Sequence, residues 1–228
     1  MAKNTKPQVE ETLAADEALS KTEQFLEKHQ KLFIWALVVV IVIAAGIVLF
    51  RTQYIAPKNE DAANKLAQCV YYFEQDSFAL ALNGDGMNEG FADIADGYKL
   101  TETSNLACCY AAVCCFKLGQ YQDAIDYLDR YHTESVNFGP ATITLKGDCY
   151  VFLGELDKAV KLFEEAAGYD NVLTAPRALN KAAICYEKQG DYAKAEQCYT
   201  TIKDKYFDSP LAQDMDKRIE NCKIHASK

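Results

Sequence analysis

Apolar and polar positions are distributed along the chain in two ways. Residues 32–50, LFIWALVVVIVIAAGIVLF, carry no charged side chain. Helical at ~1.5 Å per residue, that run reaches about 28 Å, close to the ~30 Å hydrocarbon core of a bilayer. A buried helix of a water-soluble domain would keep a polar stripe, and this one has none. The run therefore predicts a transmembrane helix, with Trp35 and Tyr54 at interfacial positions. About 31 residues precede it and no small-residue cleavage site follows it, so the expectation is a retained signal-anchor. Residues 1–31 read as a polar arm, helical from about residue 20, where Ser20 and Glu23 have capping-box spacing. Pro57 is expected to interrupt the helix, which makes 51–58 a juxtamembrane linker, and Asn59 with Glu60 and Asp61 would start the next helix.

Beyond residue 59 the apolar positions take the 3.6-residue helical period, and the pattern repeats. KLGQYQDAIDYL (117–128), FLGELDKAVKLF (152–163) and KQGDYAKAEQCY (188–199) stack on one another. Gly119, Gly154 and Gly190 are 35 and 36 residues apart, and Ala124, Ala159 and Ala195 keep the same intervals. Such a period signals a helix–turn–helix repeat. The glycine ends the first helix in a left-handed conformation. The alanine lets the second helix approach closely, and Leu128, Phe163 or Tyr199 fills the space between hairpins.

Positions Gly147, Tyr150, Gly154, Ala159, Phe163 and Ala166 resemble the tetratricopeptide repeat (TPR) motif. So do Ala183, Tyr186, Gly190, Tyr192, Ala195 and Tyr199, and Ala112, Gly119, Tyr121, Ala124 and Leu128 with Cys115 replacing a tyrosine. CVYYFEQDSFALA (69–81) is similar to a degenerate unit with Asp76 in the glycine's place, followed by a turn insertion, NGDGMNEG, at 83–90. That insertion lacks calcium-loop spacing. The resemblance implies an all-α fold, a single N-terminal transmembrane helix followed by a TPR-like α-solenoid. Its units are expected at 59–104 (degenerate), 105–139, 140–175 and 176–209. A C-terminal capping helix is expected at 210–228, with Ser209 as N-cap and Leu211, Met215, Ile219 and Cys222 on its inner face.

Charge narrows the partners. Residues 59–228 hold 17 Lys+Arg against 27 Asp+Glu, a formal −10 that repels nucleic acid. Candidate chemistry is sparse: the three histidines are scattered, and no Cys-x-x-Cys or His-x-x-x-His occurs. Four of the nine cysteines crowd into CCYAAVCC (108–115). One straight helix cannot converge all four on a metal, so they read as small packing residues, with Cys109 alone facing outward. No cofactor, metal or catalytic residue is expected.

The resemblance implies a concave groove lined by the first helix of each unit. It would comprise Cys109, Val113, Phe116 and Lys117, then Thr144, Asp148, Val151 and Phe152, then Asn180, Ile184, Glu187 and Lys188. This set suits protein or peptide segments with apolar anchors. One span followed by an acidic TPR domain is similar to the ancillary Sec-translocon subunit type. That similarity implies a non-catalytic adaptor or chaperone-like factor near the translocon of a bacterial inner membrane, its C-terminal domain periplasmic. Flanking basic residues tie across the span, Lys21, Lys28 and Lys31 against Arg51, Lys58 and Lys65, and Lys3 and Lys6 tilt the arm inward. An envelope-assembly scaffold with one fixed partner and a cytosol-facing adaptor remain alternatives.

Overall fold

The computed structural model describes residues 29–227, so the polar arm up to residue 28, with its Ser20–Glu23 capping box, lies outside the described residues. The chain divides into two compact units, Met1–Ala56 and Pro57–Lys228.

In the first unit, helix α1 (29–50) is followed by a π-helical stretch, Arg51–Ile55. Ala56 N–H bonds to Arg51 O, the wide-turn pattern of a π-helix. The apolar side chains of α1 are exposed on every side, and this is the one helix among the described residues long and apolar enough to cross a membrane. The expected break at Pro57 does not occur: helix α2 runs Ala56–Glu74 and Pro57 is its second residue. Proline lacks an N–H and crowds the carbonyl four residues back, so it fits a first helical turn or a locally widened one, and the carbonyl four residues before Pro57 belongs to Gln53 of the π stretch. Asn59 accordingly lies within α2 and is not a cap. Its side-chain oxygen accepts from Thr103 N–H at 2.9 Å.

The second unit is a stack of helix pairs. After α2 come α3 (Phe78–Asn83), α4 (Phe91–Gly97), α5 (Glu102–Lys117) and α6 (Tyr121–Arg130). They are followed by α7 (Phe138–Phe152), α8 (Leu156–Gly168), α9 (Ala175–Gln189) and α10 (Tyr192–Lys205). A 3₁₀ turn, Pro210–Asp214, leads into α11 (Met215–Ala226). Among the described residues no strand is present.

Three pairs share one cap. Gly119, Gly154 and Gly190 have φ of 77°, 80° and 79°. Each donates back to the residue three before it, while the next residue donates to the residue five before, as in Gln120 N–H to Cys115 O at 2.8 Å. That pair of bonds is a Schellman motif, which satisfies the last carbonyls of the first helix. The α2–α3 turn makes the same pair, Asp76 N–H to Phe73 O and Ser77 N–H to Tyr72 O, both 3.0 Å, with Asp76 held at φ 53°. The degenerate unit therefore keeps the repeat turn and accepts the strain of a side chain there.

Its second helix differs from the others. The 83–90 insertion divides it into α3 and α4, and α4 brings Phe91 and Ile94, both fully buried, against α5. Asp85 holds the loop by accepting from Met87 N–H (2.8 Å), Asn88 N–H (2.6 Å), the Asn88 amide (2.8 Å) and Tyr72 O–H (2.7 Å). These donors keep its carboxyl below the ordinary carboxylate range, with Tyr72 as the largest contributor.

One core joins α2–α7 and a second joins α8–α11, and Tyr150 packs against both. Phe163 and Tyr199 are fully buried and Leu128 nearly so, the space-filling role their spacing predicts. Met215 and Cys222 of α11 are buried, with Leu211 and Ile219 packed beside them, so the terminal helix covers the last apolar face.

Candidate protein-binding groove

The first helices of the three glycine-capped pairs are α5, α7 and α9. Because each pair ends in the same cap, equivalent positions recur on equivalent faces. All twelve candidate positions are half-buried or exposed. On α5, Cys109, Val113 and Phe116 are half-buried and Lys117 is exposed, its Nζ 5.9 Å from the centre of the Phe78 ring. On α7, Thr144 spends its hydroxyl on Pro140 O at 2.7 Å, while Val151 packs against the second core. Asp148 receives Lys181 Nζ on both oxygens, at 2.6 and 2.8 Å. Burial pushes the Asp148 carboxyl up while Lys181 pulls it down, and the net shift is upward. On α9, Ile184 is half-buried and Lys188 exposed, and Glu187 lines a cleft of about 630 Å³ with Arg218 and Ile224 of α11. Asn180 is less open than a groove residue should be: its Oδ1 is buried and has no hydrogen-bond partner.

The most distinctive grouping is aromatic. Phe116 and Phe152 meet edge-on at 5.6 Å, and Tyr121, the first residue of α6, stacks on Phe152 at 4.7 Å with the rings 7° apart. Phe116 and Tyr121 lie 5.7 Å apart, so three rings from two repeats touch in a closed set. Phe152 nevertheless stays 60% exposed. A ring held by two others loses little freedom when a partner covers it, which favours an anchoring role. Tyr121 and Lys181 are absent from the sequence-derived groove. Tyr121 follows Gly119 directly in the repeat motif, which places it at the turn beside Phe116, and that spacing was the available signal.

The thiols offer no reactive centre. All nine cysteines are free, eight are buried and Cys109 is half-buried. Burial pushes Cys114 and Cys115 up to about 12 and raises Cys109 as well, so the thiolate needed for nucleophilic attack is suppressed. Among the described residues no group of three or more His, Cys, Asp or Glu is placed to hold a metal ion.

Comparison with curated proteins finds no match for the chain. Residues 144–210, from the middle of α7 through α10 to Pro210, match the family model described as tetratricopeptide repeat, so that stretch of helix pairs carries tetratricopeptide repeats.

Proposed function

We propose that this chain is a non-catalytic, membrane-anchored protein-binding module, an adaptor or chaperone-like factor for exported or envelope proteins near the translocon. Repeats of this family are typically protein-interaction modules, and α1 has the length and apolarity of an anchor. The observation that carries the binding role is the exposed Phe152 ring held by Phe116 and Tyr121 across neighbouring repeats. Anchoring raises the local concentration of such a surface around membrane-bound clients.

In this reading the repeats face the periplasm of a bacterial inner membrane, with Lys3 and Lys6 on the cytoplasmic side. Nine free thiols fit an oxidising compartment poorly when exposed. Here eight are buried and protonated, which removes that objection.

Photocrosslinking from position 152 in intact cells tests the proposal. Many different exported proteins are expected as products, and Phe116→Glu with Tyr121→Glu, the photoreactive residue staying at position 152, should abolish them while helical content stays unchanged. A single stoichiometric product would replace the client-binding reading with a fixed scaffold. Undiminished crosslinking in the double variant would end the groove assignment.

A further inference from the structure

All first helices of the stack run the same way, so their starts and the loops that enter them share one edge. A chain of hydrogen bonds ties that edge together. Asn59 at the start of α2 accepts from Thr103 at the start of α5. Asn105 of α5 exchanges two bonds with the His132 backbone, both 2.8 Å. Asn171 donates to Val136 O (3.2 Å) and to Asn137 Oδ1 (2.7 Å), and Asp170 accepts from Tyr206 O–H (2.6 Å). Polar side chains thus turn inward, loop to loop.

What the edge presents outward is apolar. Leu100, Val136, Phe138, Val172, Leu173 and Phe207 are 58–80% exposed, one or two from each successive inter-repeat loop. Leu100 is held at φ 73°, a left-handed conformation that leucine rarely takes. Val172, Leu173 and Phe207 also frame an apolar cleft of about 560 Å³ with Tyr206 and Leu211. The tight helix turns of the opposite edge expose Leu118 and Leu153 only to 40% each, apart from Phe152 of the groove, and the end of α11 adds Ile224 there at 50%.

Charge on the apolar edge is low. Residues 98–101, 131–138, 169–175 and 206–209 contain Lys99, His132, Glu134, Asp170 and Asp208 as their only acidic or basic residues, with His132 uncharged at neutral pH in the formal count. Asp170 is offset by Lys205 at 2.8 Å. The edge is therefore close to neutral within a domain of formal charge −10.

The chain enters the second unit at this edge. From Phe50, the last residue of the apolar run, to Asn59 is nine residues, a reach of about 14 Å if helical and about 30 Å fully extended. Chain length alone keeps the edge within reach of the bilayer that α1 would cross.

We infer that the inter-repeat edge docks on the headgroup–acyl boundary of that bilayer, seating Phe138, Val172, Leu173 and Phe207 at a zwitterionic phospholipid surface. Aromatic and aliphatic side chains on a near-neutral frame suit that interface, and anionic headgroups would gain nothing from it. The inference rests on the anchored reading of α1, and the test separates the two.

Single-tryptophan probes in the full-length chain read the depth directly. With Trp35, the one native tryptophan, replaced by Phe, Trp is placed in turn as Val172→Trp, Phe207→Trp and, on the opposite edge, Leu153→Trp. Each protein is reconstituted in phosphatidylcholine vesicles whose acyl chains are brominated near the headgroup. Emission from 172 and 207 should be quenched and blue-shifted, and emission from 153 should not. Adding Val136→Asp with Phe138→Asp should relieve quenching at 207 while the protein still floats with vesicles through a carbonate wash. Failure to float refutes the anchor itself. Flotation with equal quenching at all three sites, or with none, overturns the docked edge. A blue shift at 172 and 207 that grows only with protein density and shows no quenching assigns the edge to a second copy, and overturns it too.

Discussion

Among the glycines inside the helices of the stack, Gly147 has the closest neighbour. A Cβ built on it would lie 2.5, 2.8 and 3.0 Å from three atoms of the Phe163 ring. Carbon–carbon contacts relax to ~3.5–4.0 Å, so the ring would have to retreat by about 1 Å. Phe163 is fully buried and cannot swing into solvent. Overpacking of this kind costs ~1–3 kcal/mol, against which Gly→Ala inside a helix returns ~1 kcal/mol. Gly147→Ala should therefore destabilise the domain by about 1 kcal/mol, or up to 2 where Phe163 cannot move, although alanine is the better helix former. Phe163→Leu vacates the contested volume, so the pair should be less damaging than the sum of the two single changes, with a coupling of ~1 kcal/mol. Urea unfolding of the full chain in mild detergent, followed by circular dichroism at 222 nm, measures all three variants against the parent. A Gly147→Ala protein as stable as the parent, or an additive cycle, would show that helix packing here is not set by this contact.

Asp76 occupies a left-handed cap that glycine fills in the other three turns, so Asp76→Gly should stabilise by ~0.5–1 kcal/mol, read as a higher urea midpoint. Burial holds Cys69, Cys149, Cys198 and Cys222 near 11 and Cys114 and Cys115 near 12, so folding favours their protonated form. That stabilisation is complete below the unfolded thiol value of ~8.5–9 and is lost as pH climbs towards the folded values, at ~1 kcal/mol per thiol by pH 10. The urea midpoint should fall steeply between pH 8 and pH 10, less so in a Cys114→Ala, Cys149→Ala protein; a flat profile refutes the linkage. Asp85 works in the opposite sense: its depressed carboxyl favours folding above the unfolded value of ~3.9, and the contribution fades as pH falls through the folded value. Asp85→Asn should speed amide exchange at Met87 and Asn88 at neutral pH while leaving α5 protected.

The repeat stack was legible because each of its conserved-spacing elements encodes one local event. Gly119, Gly154 and Gly190 specify a left-handed cap, and Ala124, Ala159 and Ala195 specify a close approach; all three alanines are fully buried. Asp76 could be aligned with the glycines because an aspartate tolerates that conformation better than most residues do. Pro57 misled because proline's effect depends on its turn: the Arg51–Ile55 π stretch, which no apolar period announces, accommodates it. Helix α4 was hidden by the insertion before it, since FADIADG is too short to show a helical period. The groove was legible as a set of positions, whereas the stacking of Tyr121 on Phe152 depends on how two repeats meet. Asn180 shows the reverse limit, since a polar side chain at an outward register position can still have its oxygen enclosed.

The cysteine cluster follows from where α5 sits. Helix α5 contacts α3, α4 and α6, so it has no consistently wet face, and its residues must be small or apolar nearly all round. Cys108 lies near Arg130 and Asp96, Cys114 near Cys69, and Cys115 near Asp123 and Cys149, so the cluster points in several directions. Cysteine suits these positions because it is slightly larger than alanine and needs no polar partner when protonated. Burial keeps it protonated, and protonation suppresses both oxidation and metal binding. Cysteine content therefore carries no information about the compartment of this domain. That has to come from the span and its flanking charges, which is why flotation and depth measurements on α1 and the inter-repeat edge decide more than any thiol assay can.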